Sequence, residues 1–181
     1  EERFSINDTS IPVFHEWRPE GLPWRDYEID IVLECSGVLR RRERSESPGY
    51  DTHIKIGAKR VLIAAPTLEE DLTAVLGVND DQLSDEHKCV SASSRMTCSL
   101  APVAKFLSDQ FGFVKGMATS IDSYTEDQRL LDSPFYDPYR ARAVAINIIP
   151  TQTGGAEMVG RVVPELMGRL TGYSLRVPVA A

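Results

Sequence analysis

Short apolar runs separated by turn residues dominate the first half of the chain. Three of these runs predict buried strands, and a turn or polar residue follows each one: Ile31–Leu33, Arg60–Ala65 and Leu72–Val78. Short buried strands that alternate with connectors predict an α/β fold.

Longer patterns occupy the second half. Leu100–Phe111 carries apolar residues at helical spacing, which predicts an amphipathic helix. Phe113–Tyr124 fits a long strand, and 126–142 fits a polar loop that contains prolines. Ala156–Leu170 predicts a second amphipathic helix, and Tyr173–Val179 predicts a last strand.

Composition narrows the class of protein. The 181 residues suit one compact domain or two small lobes, and 42% hydrophobic residues can bury a core. A net charge of -7 argues against coating nucleic acid as a main function, so no nucleic-acid partner is expected. The one biased stretch, Arg40–Pro48, is interpreted as a solvated helix start and loop in preference to a phosphate-binding patch.

The cysteines and the apolar stretches bear on location. Cys35, Cys89 and Cys98 have neither disulfide nor zinc spacing, so we expect a reducing compartment and no metal site. No apolar stretch is long enough to span a bilayer, which favours a cytoplasmic protein without a membrane partner. The chain does not begin with Met, which suggests a processed product or a piece of a longer protein.

Seven segments gain meaning when they are taken together and in order: Asp30–Gly37, Gly57–Val61, Leu100–Lys105, Ser123–Arg129, Ala141–Ala143, Ile148–Thr151 and Arg176–Pro178. In this order they closely resemble the glyceraldehyde-3-phosphate dehydrogenase family, NAD-dependent aldehyde oxidoreductases of glycolysis. The resemblance runs from about Val13 to Pro178. It implies a partial Rossmann-like cofactor half-domain over 1–90, followed by the first half of an α+β dehydrogenase catalytic domain over 91–181.

The resemblance starts late and ends early relative to that family. The family's Gly-rich turn for the dinucleotide pyrophosphate is absent from this sequence. No cofactor is therefore expected in this chain, and NAD only in a longer parent chain. By resemblance, Ser36 and Gly37 keep the turn near the nicotinamide ribose, whereas Glu126 replaces an Asn of the cofactor site.

Both catalytic positions of the family are substituted. Aligned without gaps on Leu100, the family's nucleophilic cysteine corresponds to Arg95, and its catalytic histidine corresponds to Asp122. Oxidising an aldehyde through a thioester needs a thiolate, which a guanidinium cannot replace. Arg95 and Asp122 are hypothesised to face each other as an opposite-charge pair, or else to be two unrelated substitutions. Cys98, one helical turn further on, is a weak alternative nucleophile beside the interpretation as a packed helix cysteine.

Phosphate-binding positions survive better. By resemblance, Ser94, Thr153 and Gly154 match the inorganic-phosphate subsite, in which Met96 replaces a Thr. The substrate-phosphate subsite is matched by two further residues, Thr125 and Arg176. Hydroxyls, a backbone amide and a guanidinium suit a phosphate dianion. The alternative is that these are ordinary turn residues and a strand arginine that reaches solvent.

The resemblance also bears on partners. Leu131–Arg142 resembles the loop that builds the family's tetramer, and strands without neighbours would leave open sheet edges. We therefore expect a homo-oligomer or a protein partner. The favoured hypothesis is a non-catalytic structural or binding subunit. The alternatives are a fragment of an NAD-dependent enzyme that binds cofactor or phosphate at full length, and an active enzyme that uses Cys98.

Overall fold

A computed structural model describes residues 2–45, 47–125, 128–151 and 153–179. They form β1 (Glu2–Ile6), β2 (Thr9–Val13), β3 (Ile31–Glu34), α1 (Thr52–Lys55), β4 (Arg60–Ile63), β5 (Leu72–Thr73), β6 (Cys89–Ser91), α2 (Arg95–Phe111), β7 (Gly116–Ser123), β8 (Ile149–Thr151), α3 (Gly155–Val162) and β9 (Leu170–Val177). The chain divides into two compact units. Unit 1 comprises Glu1–Ala74 and Gln82–Ser93, and unit 2 comprises Val75–Asp81 and Ser94–Ala181.

Unit 1 contains a parallel sheet. Its four strands are ordered β3-β4-β6-β5, and every neighbouring pair is parallel. Tyr50, Val61 and Ile63 form the centre of its core. A separate antiparallel hairpin, β1 and β2, turns at Asn7 and Asp8, both with positive φ, as a two-residue hairpin turn requires. The parallel strands confirm the predicted α/β class.

Strands β3 and β4 of unit 1 are buried on one face only, which corrects the prediction of buried strands there. All three residues of β6, by contrast, are buried. Along β3 the buried residues are Val32 and Glu34, whereas Ile31 is 56% exposed and Leu33 is 65% exposed. The alternation arises because the core around Tyr50 packs on one side of the sheet among the described residues. Parallel sheets are normally covered on both faces, so the apolar outer face is unusual.

Unit 2 is built on a mixed sheet ordered β7-β9-β8. β7 and β9 are parallel, and β8 and β9 are antiparallel. α3 packs on β9, and α2 packs on α3. The core between them contains Ala101, Ala104, Val159 and Leu166. None of the helices in the described part of the chain is both long and apolar enough to cross a membrane.

The helix of unit 2 that was predicted over Leu100–Phe111 is longer than expected. α2 begins at Arg95 because Ser94 caps it. It buries Thr97, Ala101 and Ala104 instead of its largest side chains, so Phe111 remains 78% exposed. Small residues on the buried face allow α3 to approach closely.

Proline sets another boundary. The helix predicted over Ala156–Leu170 is wrong in length, because α3 ends at Val162 and Pro164–Leu166 forms a 3-10 turn before β9. The predicted strand Leu72–Val78 is also too long, since only Leu72–Thr73 pairs with β6. The loop prediction is confirmed for residues 128–142, which contain no helix or strand.

Tyr50 gives a test of the core of unit 1. Its side chain is fully buried, and its hydroxyl has no hydrogen-bond partner among the described residues. Burial also raises the pKa of this phenol. Because an unsatisfied buried hydroxyl is costly, Tyr50→Phe should raise the free energy of unfolding in urea by about 1 kcal/mol. Tyr139→Phe, at an exposed tyrosine, serves as control, and destabilisation by Tyr50→Phe would contradict the unsatisfied hydroxyl.

Candidate functional site

The N-terminus of α2 forms one wall of the candidate site. Ser94 is the extended N-cap residue, and its Oγ accepts a hydrogen bond from the Thr97 amide at 3.1 Å. The Thr97 hydroxyl donates to the Gly155 carbonyl at 2.9 Å, which ties α2 to the start of α3. Arg95 is therefore the first residue of a helix whose end is held in place.

The ends of two parallel strands form the opposite wall. Asp122 lies next to last in β7, and its register partner in β9 is Arg176. The carboxyl ends of parallel strands meet at one edge of a sheet, so these side chains come together there. Arg176 Nη1 lies 3.9 Å from Asp122 Oδ2 and donates to the Ser123 carbonyl at 3.2 Å.

A cavity of about 460 Å³ opens between these walls. Its charged lining residues among those described are Arg95, Asp122 and Arg176, and hydroxyls of Ser94 and Thr153 also line it. The volume is in the range of small-molecule pockets. The structure thus brings to one cavity the two residues predicted at the catalytic positions and three of the five predicted phosphate-site residues.

Asp122 is held as a carboxylate. The Ser120 hydroxyl donates to Oδ2 at 2.5 Å, and the Ser174 hydroxyl donates to the same oxygen at 3.1 Å. The Ser120 hydrogen bond lowers the pKa of Asp122 most, and burial opposes it. Ser174 and the positive charges of the two arginines lower that pKa further.

This geometry places Arg95 and Asp122 in the same cavity but does not join them by a hydrogen bond. The two side chains share the cavity, and the charge of Arg95 acts on the carboxyl. No ion pair within 4 Å joins these two described residues, and the hydrogen bonds of Asp122 come from serines. Arg95 therefore influences Asp122 through space without a direct bond.

Cys98 lies outside the cavity. It is an exposed cysteine within α2, and its amide donates to the Ser94 carbonyl at 2.9 Å. It does not line the space beside Arg95. All three histidines of the sequence, His15, His53 and His87, belong to unit 1. Unit 2 therefore offers Cys98 no imidazole partner.

The predicted inorganic-phosphate position has its polar groups engaged within the protein. Thr153 donates to Met96 Sδ at 3.5 Å and accepts from the Gly155 amide at 3.2 Å. The side chain of Met96 packs so tightly that a Cβ added at Gly155 would lie 2.8 Å from its Cβ and 3.1 Å from its sulfur. Gly154 lines a neighbouring cavity of unit 2 instead of the one beside Arg95.

The two residues predicted for the substrate-phosphate subsite do not both line the cavity. Arg176 lines the cavity, but Thr125 does not. The amide and the hydroxyl of Thr125 donate to Gln128 Oε1 at 2.7 and 3.0 Å. Arg176 is therefore the member of this pair that a ligand in the cavity would meet.

The predicted cofactor residues fall partly outside the described chain. Glu126 is not among the described residues. Ser36 and Gly37 follow β3 in unit 1, where the Ser36 amide and hydroxyl both donate to Glu34 Oε1. Gly37 has φ of 69° and accepts from Arg40 Nε at 2.7 Å. These groups are directed at the protein itself and give no sign of a fit to a dinucleotide.

Two buried residues, Glu34 and His53, and the partly buried Trp24 support that turn. Trp24 Nε1 donates to His53 Nδ1 at 3.0 Å, so the proton of the neutral ring lies on Nε2, which donates to Glu34 Oε2 at 3.1 Å. Burial raises the pKa of Glu34, but the hydrogen bonds of His53 and Ser36 outweigh it and the net pKa is lowered. Sequence patterns did not single out this trio, because its members are separated along the chain.

The basic stretch is neutralised by nearby carboxylates. Arg42 pairs with Asp71 at 2.5 Å, and Arg44 pairs with Glu69 at 2.7 Å. These ion pairs fit the interpretation of the stretch as a solvated, charged surface segment. Among the described residues, no group of three His, Cys, Asp or Glu side chains is arranged to hold a metal ion.

Sequence patterns did not single out two serines of the site, Ser120 and Ser174. Ser120 lies on the same face of β7 as Asp122 through the two-residue period, which is a usable signal. The contribution of Ser174 depends on β9 pairing directly with β7 although β8 precedes β9 in the chain. The contact of Met96 with Thr153 spans 57 residues and has no local signal.

The parallel sheet of unit 1 is consistent with a partial Rossmann-like half-domain, and the mixed α/β structure of unit 2 is consistent with half of a dehydrogenase catalytic domain. Models of the glyceraldehyde 3-phosphate dehydrogenase NAD binding domain and C-terminal domain match residues 1–42 and 94–181. The chain belongs to the glyceraldehyde-3-phosphate dehydrogenase family. The first match extends the resemblance to the beginning of the chain.

Curated relatives carry the same family name. Glyceraldehyde-3-phosphate dehydrogenase of Mycolicibacterium smegmatis is 46% identical over 175 residues, which cover 96% of this chain and 50% of the relative. The Mycobacterium tuberculosis protein is 47% identical over 161 residues, covering 89% and 46%. Glyceraldehyde-3-phosphate dehydrogenase 2 of Nostoc is 48% identical over 175 residues, covering 96% and 50%. The chain spans about half the length of these relatives.

Asp122 predicts a specific pH dependence. Its folded pKa is lowered from 3.8, so its stabilising contribution is present above that value and is lost as pH falls through the lower folded pKa. Asp122→Asn should therefore reduce the free energy of unfolding at pH 7 more than at pH 2. The Asp122 side chain is 36% exposed, and solvent screening limits the difference to roughly 1 kcal/mol.

Urea unfolding at several pH values measures this difference. Asp26→Asn is the matched control, because the exposed Asp26 side chain has no ion pair with a described residue. An Asp122→Asn effect that is the same at pH 7 and pH 2 would contradict the charge-based explanation.

Proposed function

We propose that this chain does not oxidise aldehydes through a thioester and serves as a non-catalytic subunit that binds a small phosphate ester in its cavity. The observation that carries the proposal is the cavity itself. A guanidinium and a carboxylate occupy the positions that the resemblance gives to the thiol and the imidazole, and no described lining residue is a Cys or a His.

The chemistry of the two side chains supports loss of catalysis. Arg95 stays protonated at any physiological pH and has no lone pair with which to attack a carbonyl carbon. Asp122 has a lowered pKa, which makes it a weaker base than the near-neutral groups that general base catalysis favours. Neither half of the reaction therefore has a suitable group here.

Retained phosphate binding is supported by Arg176. Its side chain is only 16% exposed, and its Nε is buried without a hydrogen-bond partner among the described residues. Arg176 also lines the cavity, where its guanidinium can form charge-assisted hydrogen bonds with an anion that enters. A phosphate ester is the anion implied by the substrate name that the relatives carry.

Loss of the thioester route has a direct chemical test. The unchanged protein should form no NADH from glyceraldehyde 3-phosphate and NAD, and iodoacetamide should modify Cys98 slowly at pH 7. Arg95→Cys should introduce a thiol labelled at least ten times faster than Cys98, because a helix N-terminus lowers a thiol pKa.

Peptide mass spectrometry separates the two labelled cysteines, and exposed Cys35 serves as an internal control. Adding Asp122→His to Arg95→Cys should accelerate labelling further. NADH formation by the unchanged protein, or fast labelling of Cys98 within it, would overturn the proposal.

Self-association is the second part of the proposed role. Along β7 the outward residues Met117 and Ile121 are 71% and 67% exposed, and Tyr173 of β9 is 43% exposed. Contiguous exposed apolar side chains on a sheet mark an interaction surface. A second copy of the chain is the proposed partner, with an unrelated protein partner as the alternative.

Light scattering after size exclusion tests self-association. The unchanged protein should elute with a mass that is a multiple of 20.1 kDa, and Ile121→Lys should shift it to 20.1 kDa because a buried ammonium opposes association. Val38→Lys, at an exposed valine of unit 1, should leave the mass unchanged. A monomeric unchanged protein at 10 μM would count against the proposal.

An alternative function is that of an NAD-dependent oxidoreductase in a longer polypeptide that retains cofactor or phosphate binding. The match of residues 1–42 to the NAD binding domain favours it. NAD titration of the longer polypeptide, followed by tryptophan fluorescence, tests this alternative, because it predicts saturable binding of NAD there. The spacing of the three cysteines, which fits neither a disulfide framework nor a zinc site, supports the further proposal of a cytoplasmic, reducing location.

A further inference from the structure

The first residue of α2 is an unfavourable place for a cation. The N-terminus of a 17-residue helix carries partial positive charge, and the first turn of α2 contains no acidic residue that would balance Arg95. The Arg95 side chain has no hydrogen bond or ion pair with any described residue and lines the cavity. An anion in the cavity would compensate both the guanidinium and the helix end.

The cavity as a whole carries excess positive charge. Among its described lining residues, Arg95 and Arg176 face the single carboxylate of Asp122, which leaves one net positive charge. Asp122 cannot cancel both arginines, and its hydrogen bonds come from Ser120 and Ser174. Two guanidinium groups are thus available to one ligand.

The two arginines occupy chemically different positions. By resemblance, Arg176 belongs to the substrate-phosphate subsite, and Arg95 replaces the thiol that attacks the aldehyde carbon. The carbon of a bound ligand that lies beside Arg95 is therefore the one at the opposite end from its phosphate. A guanidinium has no productive interaction with an aldehyde carbon, but it pairs with a carboxylate through two parallel hydrogen bonds.

We propose that the cavity recognises a phosphate ester whose other end is a carboxylate, with Arg176 at the phosphate and Arg95 at the carboxylate. The inference rests on the proposed function and adds that the ligand carbon farthest from the phosphate is at the oxidation level of a carboxylic acid. The site is selective for the acid and discriminates against the corresponding alcohol or aldehyde. Met96 restricts the ligand to one phosphate, because its side chain fills the space beside Gly155 and engages Thr153.

Calorimetric titration of the full chain with matched probes tests the inference. The probes are 3-phosphoglycerate and glycerol 3-phosphate, which differ in having a carboxylate or a hydroxymethyl group, with glycerate as the probe that lacks phosphate. We expect 3-phosphoglycerate to bind at least tenfold more tightly than either other probe at the same ionic strength.

Variants identify the residue that reads the carboxylate. Arg95→Met should weaken 3-phosphoglycerate binding to within twofold of glycerol 3-phosphate and should leave glycerol 3-phosphate binding within twofold of its original value. Arg95→Lys keeps the charge but lacks the two-pronged geometry, so it should recover only part of the preference. Arg41→Met, at an exposed arginine that does not line the cavity, controls for net charge.

The outcomes separate the two proposals. Equal affinity for 3-phosphoglycerate and glycerol 3-phosphate would overturn the carboxylate inference and leave phosphate binding intact. Equal weakening of both probes by Arg95→Met would also overturn it, since Arg95 would then act only as a general positive charge. Failure of every probe to bind would overturn this inference together with proposed phosphate binding, whereas loss of catalysis is tested independently by the NADH and labelling experiments.

Discussion

The hydrogen bond from the Thr97 hydroxyl to the Gly155 carbonyl is the contact on which the candidate site depends. It is buried, and Thr97 also interacts with the N-cap Ser94, so one side chain joins the start of α2 to the start of α3. Because Arg95 follows the cap directly, this contact sets where its guanidinium enters the cavity. The site is therefore positioned by backbone and hydroxyl groups that carry no charge.

Charge placement in the cavity follows from that arrangement. Ser120 and Ser174 hold Asp122 at the end of β7, and Arg176 approaches it from the neighbouring strand without replacing the serine hydrogen bonds. Arg95 is left without a partner among the described residues. An ion pair that fully satisfied both charges would have closed the cavity to anions, whereas the observed arrangement keeps one guanidinium accessible.

The sequence predicted the α/β class and most element types, because turn residues and apolar periodicity are local signals. Lengths failed at the ends of helices, where a cap or a proline decides and apolar periodicity carries no signal: the N-cap Ser94 extended α2, and Pro164 shortened α3. The meeting of Asp122 and Arg176 depended on β9 lying beside β7, which no local pattern encodes. The packing of Met96 against Gly155 is equally non-local, so the narrowing of the phosphate position became visible only in three dimensions.

The presence of Arg95 and Asp122 in one cavity also has an evolutionary consequence. A single change from Arg95 to cysteine would place a thiol at the helix end, but it would still lack an imidazole to accept its proton. A single change from Asp122 to histidine would leave a guanidinium where the nucleophile is needed. Since neither step alone yields a thiol beside an imidazole, aldehyde chemistry of the thioester type would require both changes together.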